Sequence, residues 1–223
     1  MAQSIEDFAN LVPVSLATQS GKAFYSGRNA FSSLTQLYVL GVNPGGSPVN
    51  YPTETVGGHT QMILGMSNPD WSAYRDEAWE GMPPGTFGMA PRILHLFMQL
   101  GLDPGNVPAS NLAFVRSKTE AAMGAVAMQG LADQCWAFHD AVINKLKPKV
   151  VLCLGQTAGM YVRAKVGANK LQGEFEEQNN RHWKSRSYTN KSGLTVVVAT
   201  HPSIADWTAP NTDPSQLVLD ALR

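Results

Sequence analysis

Four stretches of unbroken apolar character punctuate the chain: residues 36–41 (QLYVLG), 110–115 (SNLAFV), 149–154 (KVVLCL) and 194–200 (LTVVVAT). Runs without polar alternation suit strands covered on both faces, as in parallel sheets. Between them the spacing becomes helical. Ile93, Leu96, Phe97 and Leu100 share one helical face, which ends at Gly101. Leu131, Cys135, Phe138, Val142 and Leu146 share another, which ends at Pro148. Residues 155–166 predict a helix after the third strand and residues 214–222 a last one, with further helix in 5–33. The expected fold is α/β: a doubly wound four-stranded parallel sheet flanked by helices, with right-handed crossovers. No repeat, low-complexity tract or linker breaks the pattern, so the 223 residues read as a single domain, 1–223.

In such sheets ligands bind beyond the carboxyl ends of the strands. After the first strand stands GVNPGGS (41–47), and Asn111 lies near the start of the second. Gly155, Gln156 and Thr157 follow the third strand, and His201, Pro202 and Ser203 the fourth. Polar, turn-forming residues thus follow three of the four strands, as a shared site requires.

Composition narrows the function class. Hydrophobic residues make up 43% and charged residues 15%, which excludes a disordered chain. No apolar run approaches the roughly 18 residues of a membrane span. The first seven residues lack the basic and apolar regions of a signal peptide, which predicts a cytoplasmic protein. Cys135 and Cys153 read as buried free thiols, too few for an iron–sulfur cluster. The histidines at 59, 95, 139, 182 and 201 show no metal-ligand spacing, so no metal and no cofactor are expected. Net charge is zero, but its distribution is uneven: residues 145–191 hold ten Lys/Arg against three Asp/Glu. That segment either follows a phosphate backbone or is a solvated basic surface.

GVNPGG (41–46) and HPS (201–203) resemble the two signature motifs of the uracil-DNA glycosylase superfamily. The first has the form of the mismatch-specific and single-strand-selective branches. Gly85-Thr86-Phe87-Gly88 resembles the segment bearing the family's stacking aromatic, Asn111 its pyrimidine-reading asparagine, and VVLCLGQTAG (150–159) its strand–turn–helix. The resemblance spans roughly residues 36–207. It implies a monofunctional DNA glycosylase, acting as a monomer on single- or double-stranded DNA, that hydrolyses the bond between a flipped-out pyrimidine and its sugar. A Schiff-base route is not expected, because neither motif holds a lysine.

The chemistry fits those residue types. Bond cleavage leaves positive charge on the sugar and negative charge on the base. Asn43 is a poor base but orients a water, where position outweighs basicity; alternatively it caps its loop through an Asx turn. His201 donates a hydrogen bond to the pyrimidine O2 as charge grows there, or is a packed polar residue. Asn111 pairs with the base edge as donor and acceptor, or satisfies a buried strand end. Phe87 stacks on the base or belongs to the core. Ser47 and Ser203 are candidate DNA contacts, although Ser203 equally caps a turn. Ile204 or Trp207 fills the gap left by the flipped nucleotide, or packs on the final helix. Lys184 and Arg186 are candidate phosphate contacts.

Strict uracil enzymes place a bulky tyrosine after the first motif's proline. Gly45, Gly46 and Ser47 stand there instead, leaving room for a C5 substituent. The insert 50–80, with Trp71, Tyr74 and Trp79, reads as a lid or substrate loop, or as a cover for the sheet. The resemblance therefore points to a C5-modified pyrimidine: hydroxymethyluracil, or the glucosylated hydroxymethylcytosine of phage DNA that antiviral members remove. Uracil repair and a binding module without turnover are the alternatives. A nucleotide-binding phosphate loop at 41–46 lacks GxGxxG and the Walker lysine.

Overall fold

The computed structural model describes residues 4–223. Its strands are β1 (Leu37–Gly41), β2 (Ala109–Asn111), β3 (Val150–Leu154), β4 (Lys170–Glu176), β5 (Lys184–Thr189) and β6 (Thr195–Ala199). Helices α1 (Ile5–Ala9), α2 (Val56–Gly65), α3 (Ala73–Asp76) and α4 (Ala90–Leu100) precede β2 or frame it. Helices α5 (Glu120–Met123), α6 (Ala125–Leu146), α7 (Gln156–Val166) and α8 (Ser215–Leu222) complete the chain.

The sheet is six-stranded and mixed, in the order β2-β1-β3-β6-β5-β4. The four expected strands form its parallel part, with Val39 opposite Ala109 and Leu152, and Cys153 opposite Val198. The four-stranded, all-parallel expectation is corrected by β4 and β5, an antiparallel pair on the β6 edge. Both come from the basic segment. β4 (KLQGEFE) is largely exposed, so it carries no continuous apolar run to announce it. The parallel strands are buried throughout.

Strand β2 is shorter than its apolar run, ending at Asn111; the chain then continues beside β1, with Leu112 and Ala113 donating to the carbonyls of Gly41 and Val42. The expected helix in 5–33 is mostly absent. After α1 only short 3₁₀ turns form, and residues 20–27 are irregular, with isolated bridges at Ser20, Gly21 and Ser26. Their backbone bonds go outward: Lys22 N–H to the Phe114 carbonyl, Tyr25 N–H to Ala109, and Gly27 N–H to Trp71. The apolar residues of this stretch serve the core individually. Phe8, Phe24 and Phe31 cluster with Phe138 of α6 at centroid distances of 5.2–6.4 Å.

Helix ends follow the sequence signals. Gly101 closes α4 with φ 65° and Lys147 closes α6 with φ 47°, one residue before Pro148. Among the described residues no helix is long and apolar enough to cross a membrane.

Chain order reverses at β1: β2 lies on one side and β3 on the other. Such a switch point opens a crevice beyond the carboxyl ends of the strands. A cleft of about 1300 Å³ lies there.

Candidate active site

The cleft is lined by the loop after β1, the end of β2, the turn after β3 and the loop after β6. Asn43 and His201 both face it. Their strands flank β3, so the two chain segments stand two strand spacings apart, about 10 Å. The floor between them is Gly155. Its φ of 99° turns the chain from β3 into α7, and a side chain there would lie 3.5 Å from the His201 ring.

Hydrogen bonds fix both side chains. Asn43 Nδ2 donates to Ser117 Oγ (2.8 Å), to the Pro44 carbonyl (3.1 Å) and to the Val115 carbonyl (3.4 Å). Ser117 commits its own proton to the Thr119 carbonyl at 2.9 Å, so it can only accept from Asn43. All three neighbours are therefore acceptors, and the amide orientation follows. Oδ1 is left without a partner among the described residues. His201 Nδ1 accepts from the Ser203 backbone N–H at 3.1 Å and lies 2.7 Å from Ser203 Oγ. Nδ1 is thus the unprotonated nitrogen, and Nε2 carries the ring proton.

The loop after β6 is clamped from three directions. Arg92 of α4 donates to the Pro202 carbonyl. Arg181 donates to the Ile204 carbonyl. Trp207 Nε1 donates back to the Thr200 carbonyl at 3.1 Å. Trp207 is fully buried, so its candidacy as a DNA wedge is withdrawn. It is the loop's anchor, because an indole N–H buried in the core needs an acceptor and the end of β6 supplies one. Ile204 is 55% exposed and lines the cleft, as a wedge requires.

Asn111 is buried at the end of β2. A side chain on Gly41 would come within 2.1 Å of its Oδ1, so glycine at 41 is what lets the asparagine lie across β1. The backbone beyond it is held by His139 Nε2, 3.1 Å from the Leu112 carbonyl, while His139 Nδ1 lies 2.8 Å from the Tyr38 hydroxyl. Burial holds His139 neutral, its pKa lowered to about 4.

Phe87 is 40% exposed and lines the cleft, outside the core. Gly45 faces open space. Gly46 does not: with φ 92°, it packs against the Tyr51 ring, which would lie 2.9 Å from an added Cβ. The room expected across 45–47 is therefore confined to Gly45. Ser47 starts a 3₁₀ turn and does not line the cleft, so the structure does not bring it to the other candidates. Lys184 and Arg186 do line it, but already bonded: both reach Glu174 at 2.7 Å, and Lys184 also reaches Glu176 at 3.0 Å.

The insert divides. Trp71 packs on His59 of α2 and Tyr74 on Tyr25 and on Phe97 of α4, both buried, whereas Tyr51, Glu54 and residues 77–81 border the cleft, bringing Trp79 into it.

A polar wall contributed by distant segments escaped sequence reasoning. Lys22 and Arg116, 5% and 6% exposed, share Glu54, and Lys22 also pairs with Glu77. Arg116 donates to the Gly45 carbonyl and lies 4.3 Å from the Tyr51 ring centroid. The Tyr51 hydroxyl donates to Glu80 at 2.8 Å. Burial lowers the pKa of both cations. The signal for Arg116 and Ser117 was their position just beyond the second apolar run; nothing local marks Lys22 or Glu54.

No protein-family model matches this chain, and no curated protein matches it in sequence.

Proposed function

We propose that the protein is a monofunctional DNA glycosylase with a uracil-DNA-glycosylase-like sheet, acting in the cytoplasm on a flipped-out pyrimidine. The observation that carries this reading is the paired orientation of Asn43 and His201 across one cleft. One offers a carbonyl oxygen, the other a fixed Nε2 proton.

A water held by Asn43 Oδ1 attacks C1′ of the sugar; its oxygen bonds to C1′ and its proton passes to bulk water, from which the departed base anion is protonated. The C1′–N1 bond breaks, and its electron pair leaves with the base. Charge accumulating on O2 meets the Nε2–H of His201. One such preorganised donor lowers the barrier by roughly 2.7–4 kcal/mol. Asn111 reads the base edge, Phe87 stacks on the ring, and Ile204 occupies the gap in the strand. Neither motif loop holds a lysine, so the sugar is not captured covalently and borohydride traps nothing.

The substrate we favour carries a C5 substituent: hydroxymethyluracil, or the glucosylated hydroxymethylcytosine of phage DNA, which would make the enzyme an antiviral defence. Two features support it. Gly45 leaves open space, and the adjoining wall offers the Glu54, Glu77 and Glu80 carboxylates with the Tyr51 and Trp79 rings, groups suited to hydroxyls and sugar faces.

The test is a panel of oligonucleotides carrying a single U, T, hydroxymethyl-U, C, hydroxymethyl-C or glucosyl-hydroxymethyl-C, scored for abasic sites. Cleavage confined to C5-modified bases is expected. Cleavage of plain uracil alone moves the enzyme to repair. Asn43→Ala and His201→Ala are each expected to reduce turnover at least 100-fold with folding intact; near-normal turnover in either would remove its assigned role.

A further inference from the structure

One arginine ties the loop between β4 and β5 to the loop after β6. Arg181 Nη1 donates to the Ile204 carbonyl at 2.5 Å, and Nη2 donates to Glu177 Oε2 at 2.8 Å. Glu177 is 1% exposed, and its Oε2 also accepts from Asn179 Nδ2 at 3.0 Å. Asn179 Oδ1 accepts from the Arg181 backbone N–H at 2.9 Å. The loop closes where Glu177 N–H donates to the Trp183 carbonyl at 2.8 Å.

A buried carboxylate is a costly anchor. Here its bonds all serve to hold Arg181. Arg181 in turn fixes two neighbours, the backbone of Ile204 and one face of the Trp183 ring, 4.4 Å from the guanidinium to the centroid. Trp183 is 41% exposed and Ile204 55%, and both stand on the cleft. A large apolar ring is thus held rigidly, partly wet, beside the residue that fills the gap in the strand. Rigid aromatic plates at a nucleic-acid cleft are stacking platforms, and every base has a face to offer them. The adjacent cations Lys184 and Arg186 are already taken by carboxylates, which favours a base over a phosphate as the occupant.

We propose that Trp183 stacks on the nucleobase next to the extruded one, and that Arg181 is the positioning residue setting Trp183 and Ile204 together. This rests on the glycosylase reading above.

The experiment uses DNA carrying a stable abasic analogue at the target position with 2-aminopurine as the neighbouring base, whose fluorescence falls on stacking. Wild-type protein is expected to bind and quench. Trp183→Ala should bind about 5- to 150-fold more weakly, with quenching lost. Trp183→Phe should keep most of both, and Arg181→Ala should lose quenching while its melting curve shows a folded protein. Undiminished binding and quenching by Trp183→Ala overturns the proposal, as does wild-type binding without quenching. Wild-type protein that neither binds this DNA nor cleaves any base of the panel removes the glycosylase reading, and this proposal with it.

Discussion

The two walls of the cleft use the same ingredients in opposite ways. On one, Lys22 and Arg116 share Glu54 and are almost wholly buried. On the other, Lys184 and Arg186 share Glu174 on an exposed hairpin. Each wall joins two cations through one carboxylate. They differ in whether water can replace a lost partner. On the hairpin it can, so the pairs adjust the field over the cleft and contribute little to folding. On the buried wall the carboxylates keep some exposure while both cations are covered, so the cations depend on a network that holds Gly45 and, through Ser117, stands next to Asn43.

The largest expected effect tests the buried side. Glu54→Ala leaves Lys22 with Glu77 alone and Arg116 without a carboxylate, and should cost about 3–5 kcal/mol in urea unfolding. A cost below about 1 kcal/mol would erase the distinction between the walls.

Acid separates them next. Burial depresses His59 and His139 to about 3 and about 4, from an ordinary 6.5. Below pH 6.5 the unfolded chain therefore binds more protons than the folded one, and stability falls as pH drops. Each histidine contributes a slope of up to about 1.4 kcal/mol per pH unit until its folded value is reached. The Glu174 and Glu176 carboxyls are also depressed, by hydrogen bonds first from Lys184. Their contribution is present at neutral pH and fades only below their ordinary 4.5. Unfolding measured at pH 7, 6 and 5 should thus report the buried histidines; a flat profile there would contradict their burial as neutral rings.

On the hairpin, Glu174→Gln should leave the unfolding midpoint unchanged and release Arg186, while Lys184 keeps Glu176. If the protein binds DNA, the slope of log affinity against log salt should then steepen by about 0.9, the contribution of one added phosphate contact. An unchanged slope would mean that Arg186 reaches no phosphate. The smallest effect belongs to Gly45→Ala. An added methyl meets nothing within 4 Å, so stability should stay within about 0.5 kcal/mol. Turnover of a bulky C5-substituted base should fall several-fold relative to uracil. Equal losses on both would place the substituent elsewhere.

The same contrast explains what could be read from the chain. β1, β3 and β6 announce themselves because both their faces are covered, which demands uninterrupted apolar residues. β4 and β5 do not, because neither carries a continuous apolar run: KLQGEFE only alternates polar residues with Leu171, Gly173 and Phe175, and the buried positions of β5 are serines. Residues 20–27 mislead for another reason. Their apolar side chains are buried, but their backbone is claimed by β2, the chain beyond it and the insert, so an irregular path wins over helix. In the candidate site, the loops after β1 and β6 were legible because each is contiguous. For Trp207 packing and wedge were both open, and the indole N–H bond to Thr200, which spacing alone does not reveal, decides for packing. Lys22, Glu54 and Glu77 belong to three segments that meet only in the fold.

The position of β6 has one more consequence. It is the last strand in sequence, yet it sits inside the sheet, between β3 and β5. A chain emerging from the ribosome can pair β1, β2 and β3, but the β4–β5 hairpin has no seat until β6 arrives to bridge it. His201 follows directly after that strand. A copy cut before β6 thus carries Asn43 without the imidazole that faces it across the cleft, so the two sides of the proposed site form together only once β6 is in place.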